Sequence, residues 1–172
     1  MSDVFWTVVE TPIDPLLLVG DETGLHQLHF TPFEPPAGLT RDDEVLAPVA
    51  AELAEYFAGD RVTFEVPLHP RGTPFQTRVW LALRDIPYGR TTSYGELATE
   101  LGQPTASRAV GLANGRNPLA VIVPCHRVIG ANGTLTGYAG GLERKRWLLA
   151  HEGAMHGGQL SLEVDRPADP AR

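Results

Sequence analysis

Residues 93–113 have the sequence SYGELATELGQPTASRAVGLA, and this stretch decides the fold class of the second half of the chain. It opens on Ser93 with Glu96 three residues later, a capping box in which each side chain bonds a free backbone N–H at a helix start. Gly102 is expected to end that helix, and a second helix with proline in its first turn is predicted over 104–113. Two short helices joined by a tight glycine-containing turn predict a helix-turn-helix, although an ordinary pair of packed helices has the same spacing.

Two further helices flank this pair. Thr73-Pro74-Phe75-Gln76 is another capping box with proline at the first helical position, so a helix is predicted to begin there. The last helix is predicted from Leu142 to His151, with Gly153 as its C-cap and Trp147-Leu148-Leu149 as packing residues. These elements predict a mostly helical, winged-helix-like C-terminal domain.

The N-terminal part of the chain indicates a small α/β domain, a sheet plus one helix. Apolar runs on either side of a turn-rich loop predict a β-hairpin over 16–30. A helix is predicted from Pro48 to just before Gly59, and alternating apolar residues predict a half-buried strand over Arg61–Leu68.

Charge and composition divide the chain near Leu68–Gly72, a stretch that contains proline and glycine. The net charge is −7, but residues 1–70 carry 2 basic and 13 acidic side chains, whereas residues 71–146 carry 10 basic, nine of them arginine, and 4 acidic. The net charge of +6 in the second segment predicts contact with nucleic acid, while the alternative is an incidental basic face on a solvated helix. We therefore predict an N-terminal domain over 1–70, a second domain over 73–153 and a loosely ordered tail over 154–172.

The composition favours a cytoplasmic protein without a membrane span. No apolar run reaches the roughly 18 residues of a transmembrane helix. The start, Met1–Phe5, has neither the basic region nor the apolar stretch of a secretory signal. A reducing compartment also suits a free thiol.

The single cysteine, Cys125, lies in VPCHRV, residues 123–128. Residues 119–123 predict a short buried strand that the proline ends, so the thiol is expected where a strand opens into a loop. Because the thiolate is the reactive form of cysteine, the basic neighbours His126 and Arg127 are expected to lower the thiol pKa and to make it a nucleophile. The alternative is a small buried hydrophobe, a common setting for a lone cysteine.

The residue types in the chain predict neither a metal site nor a cofactor site. One cysteine permits no disulfide cycle within the chain and no cysteine-rich zinc site. His26 and His29 are three residues apart, but they lie in a predicted strand with no third ligand nearby. The sequence also has no glycine-rich dinucleotide or phosphate motif.

From Thr73 to Gly153 the sequence resembles the methylated-DNA–protein-cysteine methyltransferases, repair proteins that dealkylate guanine O6. The main segment of the resemblance is Pro-Cys-His-Arg-Val at 124–128, which looks like the active-site motif of that family. It continues through five further segments at matching spacing: Ser93-Tyr94-Gly95, Ser107-Arg108-Ala109-Val110-Gly111, Asn117-Pro118, Gly137-Tyr138 and His151-Glu152-Gly153.

The resemblance implies roles for individual residues. It implies Cys125 as the alkyl acceptor, His126 as its base directly or through water, Glu152 as the group that orients the histidine, and Asn117 as a brace for the turn near the thiol. DNA or base contacts are implied for Tyr94, Ser107, Arg108, Arg127, Val128, Tyr138 and Ala139.

Four of these contacts are specified further by the resemblance. Arg108 would fill the gap that an extruded base leaves, and Tyr94 would donate to the guanine ring. The Val128 carbonyl would accept from the exocyclic amine, and Tyr138 and Ala139 would lie in a loop that closes over the base. Some relatives have serine where Ala139 stands, so only a backbone contact is carried over there.

The implied function is direct, stoichiometric repair of DNA. The chain would transfer an alkyl group from guanine O6 to Cys125 after base flipping, with thymine O4 left open as a second substrate. The partner would be double-stranded DNA bound mainly through the minor groove, because helix 104–113 carries small residues and few side chains long enough to contact base edges. We expect a monomer that uses no cofactor.

Three other functions compete with this one. A cysteine hydrolase could use Cys125 with His126, although neighbours in an extended chain point apart and a direct pair would need a special turn. A DNA-binding protein without chemistry would lack the cysteine, which is present. A helix-turn-helix regulator would need a recognition helix with more long polar side chains.

Overall fold

The structure is a computed structural model that describes residues 3–156 and 159–160. The chain forms two compact units. One comprises Met1–Arg71 together with Pro118–Ile122, and the other comprises Gly72–Asn117 and the chain from Val123 onward. None of the helices in the described part of the chain combines the length and apolarity that a membrane crossing requires.

The first unit is a four-stranded sheet with one helix. Its elements are β1 (Phe5–Val9), β2 (Leu16–Asp21), β3 (Gly24–His29), β4 (Thr40–Arg41) and α1 (Ala47–Ala58). The sheet order is β3-β2-β1-β4, with β4 parallel to β1 and the other pairs antiparallel. Its core includes Leu16, Leu18 and Leu25 from the sheet and Val49, Leu53 and Tyr56 from α1. The predicted hairpin and helix are confirmed, whereas β1 and β4 were not predicted.

The strand predicted over Arg61–Leu68 is wrong. Leu68 makes only an isolated bridge with Leu25. The backbone N–H groups of Glu65 and Val66 donate to the Glu52 carboxylate, at 2.9 and 3.2 Å, instead of to a neighbouring strand. The alternating apolar residues are therefore present, but no neighbouring strand pairs with this segment, so it does not form a strand.

The buried strand predicted just before the cysteine is also wrong, although the burial is confirmed. Leu119–Val123 is fully buried but consists of turns, with a single bridge between Leu119 and Leu28. Val121 has φ of 75°, a left-handed conformation that a β-branched residue seldom adopts and that interrupts an extended strand.

The second unit is mostly helical. Its elements are α2 (Pro74–Arg84), β5 (Thr92–Ser93), α3 (Tyr94–Glu100), α4 (Ser107–Gly115), a 3-10 turn (Cys125–Arg127), β6 (Val128–Ile129), α5 (Leu142–His151), β7 (Met155–His156) and β8 (Gln159–Leu160). Both predicted capping boxes are present, at Thr73 with Gln76 and at Ser93 with Glu96. Short parallel pairing joins β5 to β6. Most of the tail predicted over 154–172 lies outside the described residues.

Helices α3 and α4 pack together as the predicted helix-turn-helix, and α2 packs on α4. The Trp80 indole on α2 donates to the Ala113 carbonyl at 2.8 Å and ties the two helices together. The second helix begins at Ser107, three residues later than predicted, because the Ala106 N–H bonds the Gln103 carbonyl in a separate turn. Proline at Pro104 therefore occupies the second position of a β-turn, which it favours as much as a helix start.

Candidate active site

The thiol of Cys125 is held in a tight backbone turn. Pro124 has φ of −80° and ψ of 65°, the values of an inverse γ-turn, and the Cys125 N–H donates to the Val123 carbonyl at 2.8 Å. The 3-10 turn that follows sends successive side chains roughly 120° apart. Cys125 and His126 therefore occupy different surroundings although they are neighbours in the chain.

Two asparagines hold this turn in place, Asn114 in the last turn of helix α4 and Asn117 just after that helix ends. Asn117 donates from Nδ2 to the Val123 carbonyl at 2.8 Å, just before the turn. Asn114 donates from Nδ2 to the Cys125 carbonyl at 3.3 Å, within the turn. The structure thus places Asn117 beside the thiol segment, where the sequence had implied it, and adds Asn114, which the sequence analysis missed.

His126, Glu152 and Arg127 form a buried cluster behind the thiol. His126 Nε2 donates to Glu152 Oε2 at 2.8 Å, and both side chains are fully buried. Arg127 donates to both carboxylate oxygens, from Nε at 2.8 Å and from Nη2 at 3.0 Å. The turn and the C-terminal end of α5 therefore meet through one carboxylate.

This cluster corrects the DNA-contacting role implied for Arg127. The residue is 6% exposed, and its third hydrogen bond goes from Nη1 to the Ile86 carbonyl at 2.7 Å. The same guanidinium lies 5.7 Å from the centre of the Tyr88 ring. Because its N–H donors point into the protein, Arg127 holds Glu152 in position and is not available to bind a DNA phosphate.

The protonation states within the cluster follow from its contacts. Burial alone would raise the pKa of Glu152, but His126 and Arg127 hold that pKa well below its usual range, so the carboxylate is charged. Burial lowers the pKa of His126, only partly opposed by Glu152, so the ring is neutral at pH 7. Nδ1 of His126 has no hydrogen-bond partner among the described residues. A neutral histidine with an unoccupied nitrogen is a ready proton acceptor.

The pKa of the Cys125 thiol differs from the one that the sequence predicted. Burial raises the pKa of Cys125, whereas the sequence predicted that basic neighbours would lower it. The groups that oppose this rise are the Asn117 side chain, the Lys145 ammonium and the Tyr138 hydroxyl, and not His126 or Arg127. The resting group is therefore a protonated thiol that needs a base.

Lys145 is the second residue that the sequence analysis missed. It is fully buried on α5, and its Nζ donates to the carbonyls of Val128 and Thr136, at 2.7 Å each. A signal existed, because Lys145 lies three and four residues before Leu148 and Leu149 and so shares the apolar face of the helix. The ammonium links the Val128 backbone to the loop that carries Tyr138.

The residues implied for DNA contact fall into two groups. Ser107, Arg108 and Ala109 are exposed in the first turn of α4. Tyr94 is half-buried at the start of α3, where it bonds the Thr136 hydroxyl at 3.2 Å, and burial raises its pKa. Tyr138 is half-buried and interacts with the Cys125 thiol, while the neighbouring Ala139 is exposed. Tyr94 and Tyr138 thus lie near the thiol, and Ser107 and Arg108 lie on the surface of the helix-turn-helix.

Comparison with known proteins agrees with both parts of this architecture. Residues 4–70 match the ribonuclease-like domain of 6-O-methylguanine DNA methyltransferase, and residues 74–154 match the DNA binding domain of the same family. The methylated-DNA–protein-cysteine methyltransferase of Methanosarcina acetivorans is 52% identical over 155 residues, 88% of this chain and 99% of the relative. That of Mycobacterium tuberculosis is 50% identical over 163 residues, 92% of this chain and 98% of the relative.

Solved structures give the same result. The Mycobacterium tuberculosis O6-methylguanine methyltransferase superposes with a TM-score of 0.82 and 48% identity, over 93% of this chain and 99% of that one. The Mycobacterium tuberculosis OGT in complex with DNA superposes with a TM-score of 0.83 and 48% identity, over 93% and 98% of the two chains.

The α/β unit, the helix-turn-helix unit and the single cysteine beside the buried His126–Glu152 pair together define a DNA repair methyltransferase. The chain belongs to the 6-O-methylguanine DNA methyltransferase family. Its activity is that of a methylated-DNA–protein-cysteine methyltransferase, which repairs O6-methylguanine in DNA.

Proposed function

We propose that Cys125 is the acceptor of the alkyl group and that His126, held by Glu152, removes its proton. The observation that carries this proposal is the buried His126–Glu152 hydrogen bond of 2.8 Å directly after the only cysteine. A carboxylate that orients a neutral histidine and stabilises its cationic form is the general arrangement for activating a weak nucleophile.

The reaction balances without an external reagent. The sulfur–carbon bond forms as the bond between the alkyl carbon and O6 breaks, and the product is a thioether. The thiol proton passes to His126 Nδ1, directly or through water, and the departing guanine takes up one proton. Tyr94 supplies a hydroxyl donor near the thiol for that step.

Lys145 assists by stabilising the thiolate. Its ammonium opposes the effect of burial on the Cys125 thiol and is itself fixed by two backbone carbonyls. A fixed positive charge in a buried site costs no reorganisation when the negative charge on sulfur develops. His126 then supplies the proton acceptor, and Lys145 supplies the electrostatic support.

Arg108 is proposed to fill the gap left by the extruded base. Guanine O6 is stacked within the duplex, so the base must leave the helix to reach a buried thiol. Arg108 is exposed in the first turn of α4, next to small residues that let the helix backbone approach the minor groove. The base extruded by this step would meet Tyr94, Tyr138 and the Val128 backbone, which all lie around the thiol segment.

Each molecule is proposed to act once. A thioether cannot be reversed by thiol exchange, and the sequence contains no second cysteine. We further propose that the protein works as a monomer on double-stranded DNA in the reducing cytoplasm, where a free thiol persists. Guanine O6 is the principal substrate position, and thymine O4 is a second one to be tested.

The test is the transfer of a labelled methyl group from O6-methylguanine in duplex DNA to the protein. The native chain should accept close to one methyl group per molecule, and Cys125→Ser should accept none while its DNA affinity stays nearly unchanged. Label on the serine variant would contradict the assignment of the acceptor. Repeated turnover of an ester substrate by the native chain would favour the cysteine hydrolase instead.

A further inference from the structure

Thr136 holds two groups of the proposed site from the loop that precedes α5. Its carbonyl accepts from Lys145 Nζ at 2.7 Å, and its hydroxyl donates to the hydroxyl oxygen of Tyr94 at 3.2 Å. Thr136 is exposed and Tyr94 is half-buried, so neither side chain lies in the closed core. One residue therefore connects the ammonium that supports the thiolate with the phenol that faces the departing base.

The direction of the Thr136–Tyr94 hydrogen bond matters because a phenol has a single proton. If Tyr94 donated that proton to Thr136, it would have none left for guanine. In the structure the Thr136 hydroxyl is the donor, so Tyr94 accepts from it and keeps its own proton available. Hydrogen bonds in a chain also polarise one another, so a phenol that accepts one hydrogen bond donates the next one more strongly.

The surroundings of the Tyr94 ring agree with a donor role. The ring packs over Gly111 of α4, where an added Cβ would lie 3.7 Å from the nearest ring carbon. Burial raises the pKa of Tyr94, and among the groups that oppose this rise the Thr136 hydroxyl has the largest effect. A hydrogen bond that stabilises negative charge on the phenol oxygen also makes its proton easier to share with an acceptor.

We infer that Thr136 is a positioning residue for alkyl transfer, because its hydroxyl orients the Tyr94 hydroxyl so that the phenol proton points toward the departing guanine. The inference rests on the proposed function, in which Tyr94 is the donor for that step. As the sulfur–carbon bond forms and the bond between the alkyl carbon and O6 breaks, negative charge develops on the guanine, and a fixed donor stabilises it. Thr136 keeps its own proton. The thiol proton still passes to His126, and the guanine still takes up one proton.

The test is single-turnover transfer from duplex DNA carrying O6-methylguanine, measured at saturating DNA. Thr136→Val keeps the shape of the side chain but removes the hydroxyl, and it should slow transfer by about fivefold, the effect of one neutral hydrogen bond on a rate. Thr136→Ser keeps the hydroxyl and should stay within about twofold of the native rate. In a Tyr94→Phe background, Thr136→Val should cause no further loss, because the hydroxyl that it orients is already absent.

Thr134→Val is the matched control. Thr134 lies in the same loop, and its backbone N–H donates to the Asn132 side chain at 3.1 Å. Among the residues that the structure describes, its hydroxyl takes part in no hydrogen bond. This variant should therefore transfer at the native rate.

The inference would be overturned by a native rate in Thr136→Val or by equal losses in the valine and serine variants. A full loss from Thr136→Val in the Tyr94→Phe background would also overturn it, since the threonine would then act through the shape of the loop. If the valine variant does not fold, Thr136→Ala removes the same hydroxyl and is judged in the same way. A native rate in Tyr94→Phe alone would contradict the proposed donor role of Tyr94 and this inference with it. Failure of the native chain to transfer would instead contradict the proposed function.

Discussion

Replacing Glu152 by glutamine changes one oxygen of the buried cluster to an amino group and removes its negative charge. The carboxylate accepts from His126 Nε2, Arg127 Nε and Arg127 Nη2. A glutamine has one acceptor oxygen, so its amino group must face at least one donor of Arg127. We therefore expect a folded but less stable protein, with a loss near the lower end of the roughly 3–5 kcal/mol for removing one partner of a buried ion pair.

The rate of alkyl transfer should fall as well. If the new amino group faces His126, Nε2 of the histidine must accept a hydrogen bond, so the ring proton moves to Nδ1. Nδ1 is the nitrogen that we propose takes the thiol proton, and it could then no longer do so. In either orientation the histidine cation loses its anionic partner. General-base assistance contributes about 100- to 10,000-fold to a rate, so Glu152→Gln should slow transfer within that range.

The assay is single-turnover transfer, measured separately with duplex DNA carrying O6-methylguanine and with a free O6-alkylguanine base. Because the defect lies in thiol activation and not in extrusion, both substrates should slow by the same factor. Glu143→Gln is the matched control, since Glu143 is an exposed acid in the first turn of the same helix α5. It should leave both rates unchanged.

One result would refute this reasoning. If folded Glu152→Gln reacts with the free base within about threefold of the native rate, the His126–Glu152 pair takes no part in activating the thiol. Its hydrogen bonds would then serve only to hold α5 against the 3-10 turn.

Three further predictions follow from the same contacts. Arg108→Ala should slow transfer from duplex DNA by about tenfold or more but spare the free base, because only the duplex requires extrusion; equal losses on both would make Arg108 an ordinary phosphate contact. Lys145→Met removes the ammonium that lowers the Cys125 pKa, so the pH–rate profile should shift to higher pH, and a profile that superimposes on the native one would limit Lys145 to a structural role. Burial holds the folded-state pKa of His126 below its ordinary value of 6.5, so the unfolded chain binds a proton first as pH falls. The free energy of unfolding should therefore decrease from pH 7 to pH 5, and His126→Gln should show a smaller decrease in urea titrations; equal decreases in the two proteins would contradict the assignment.

The features that the sequence predicted correctly depend on residues close together in the chain. The capping boxes at Thr73 and Ser93 act over three residues, and both are present. The helix ending before Gly59 follows from glycine in the left-handed conformation, which the structure shows with φ of 86°. Such signals require no knowledge of what packs against the helix.

The predictions that failed depended on a partner elsewhere in the fold. An alternating pattern at Arg61–Leu68 does not make a strand unless a neighbouring strand is available, and there the backbone bonds the Glu52 side chain. The apolar stretch at Leu119–Val123 was correctly expected to be buried. The turn at Val121 could not be anticipated, since a left-handed valine is disfavoured by local sterics.

The sequence by itself determined the helical elements, the charge of each segment and the motif that carries the thiol. Tertiary structure decided how that thiol behaves, because pKa values depend on burial and on charges brought together from distant parts of the chain. Arg127 and Glu152 are 25 residues apart in sequence and bonded in space, which turns a supposed DNA contact into a support for the histidine. Lys145 and Asn114 have their roles for the same reason: their surroundings exist only once α4, α5 and the 3-10 turn have packed together.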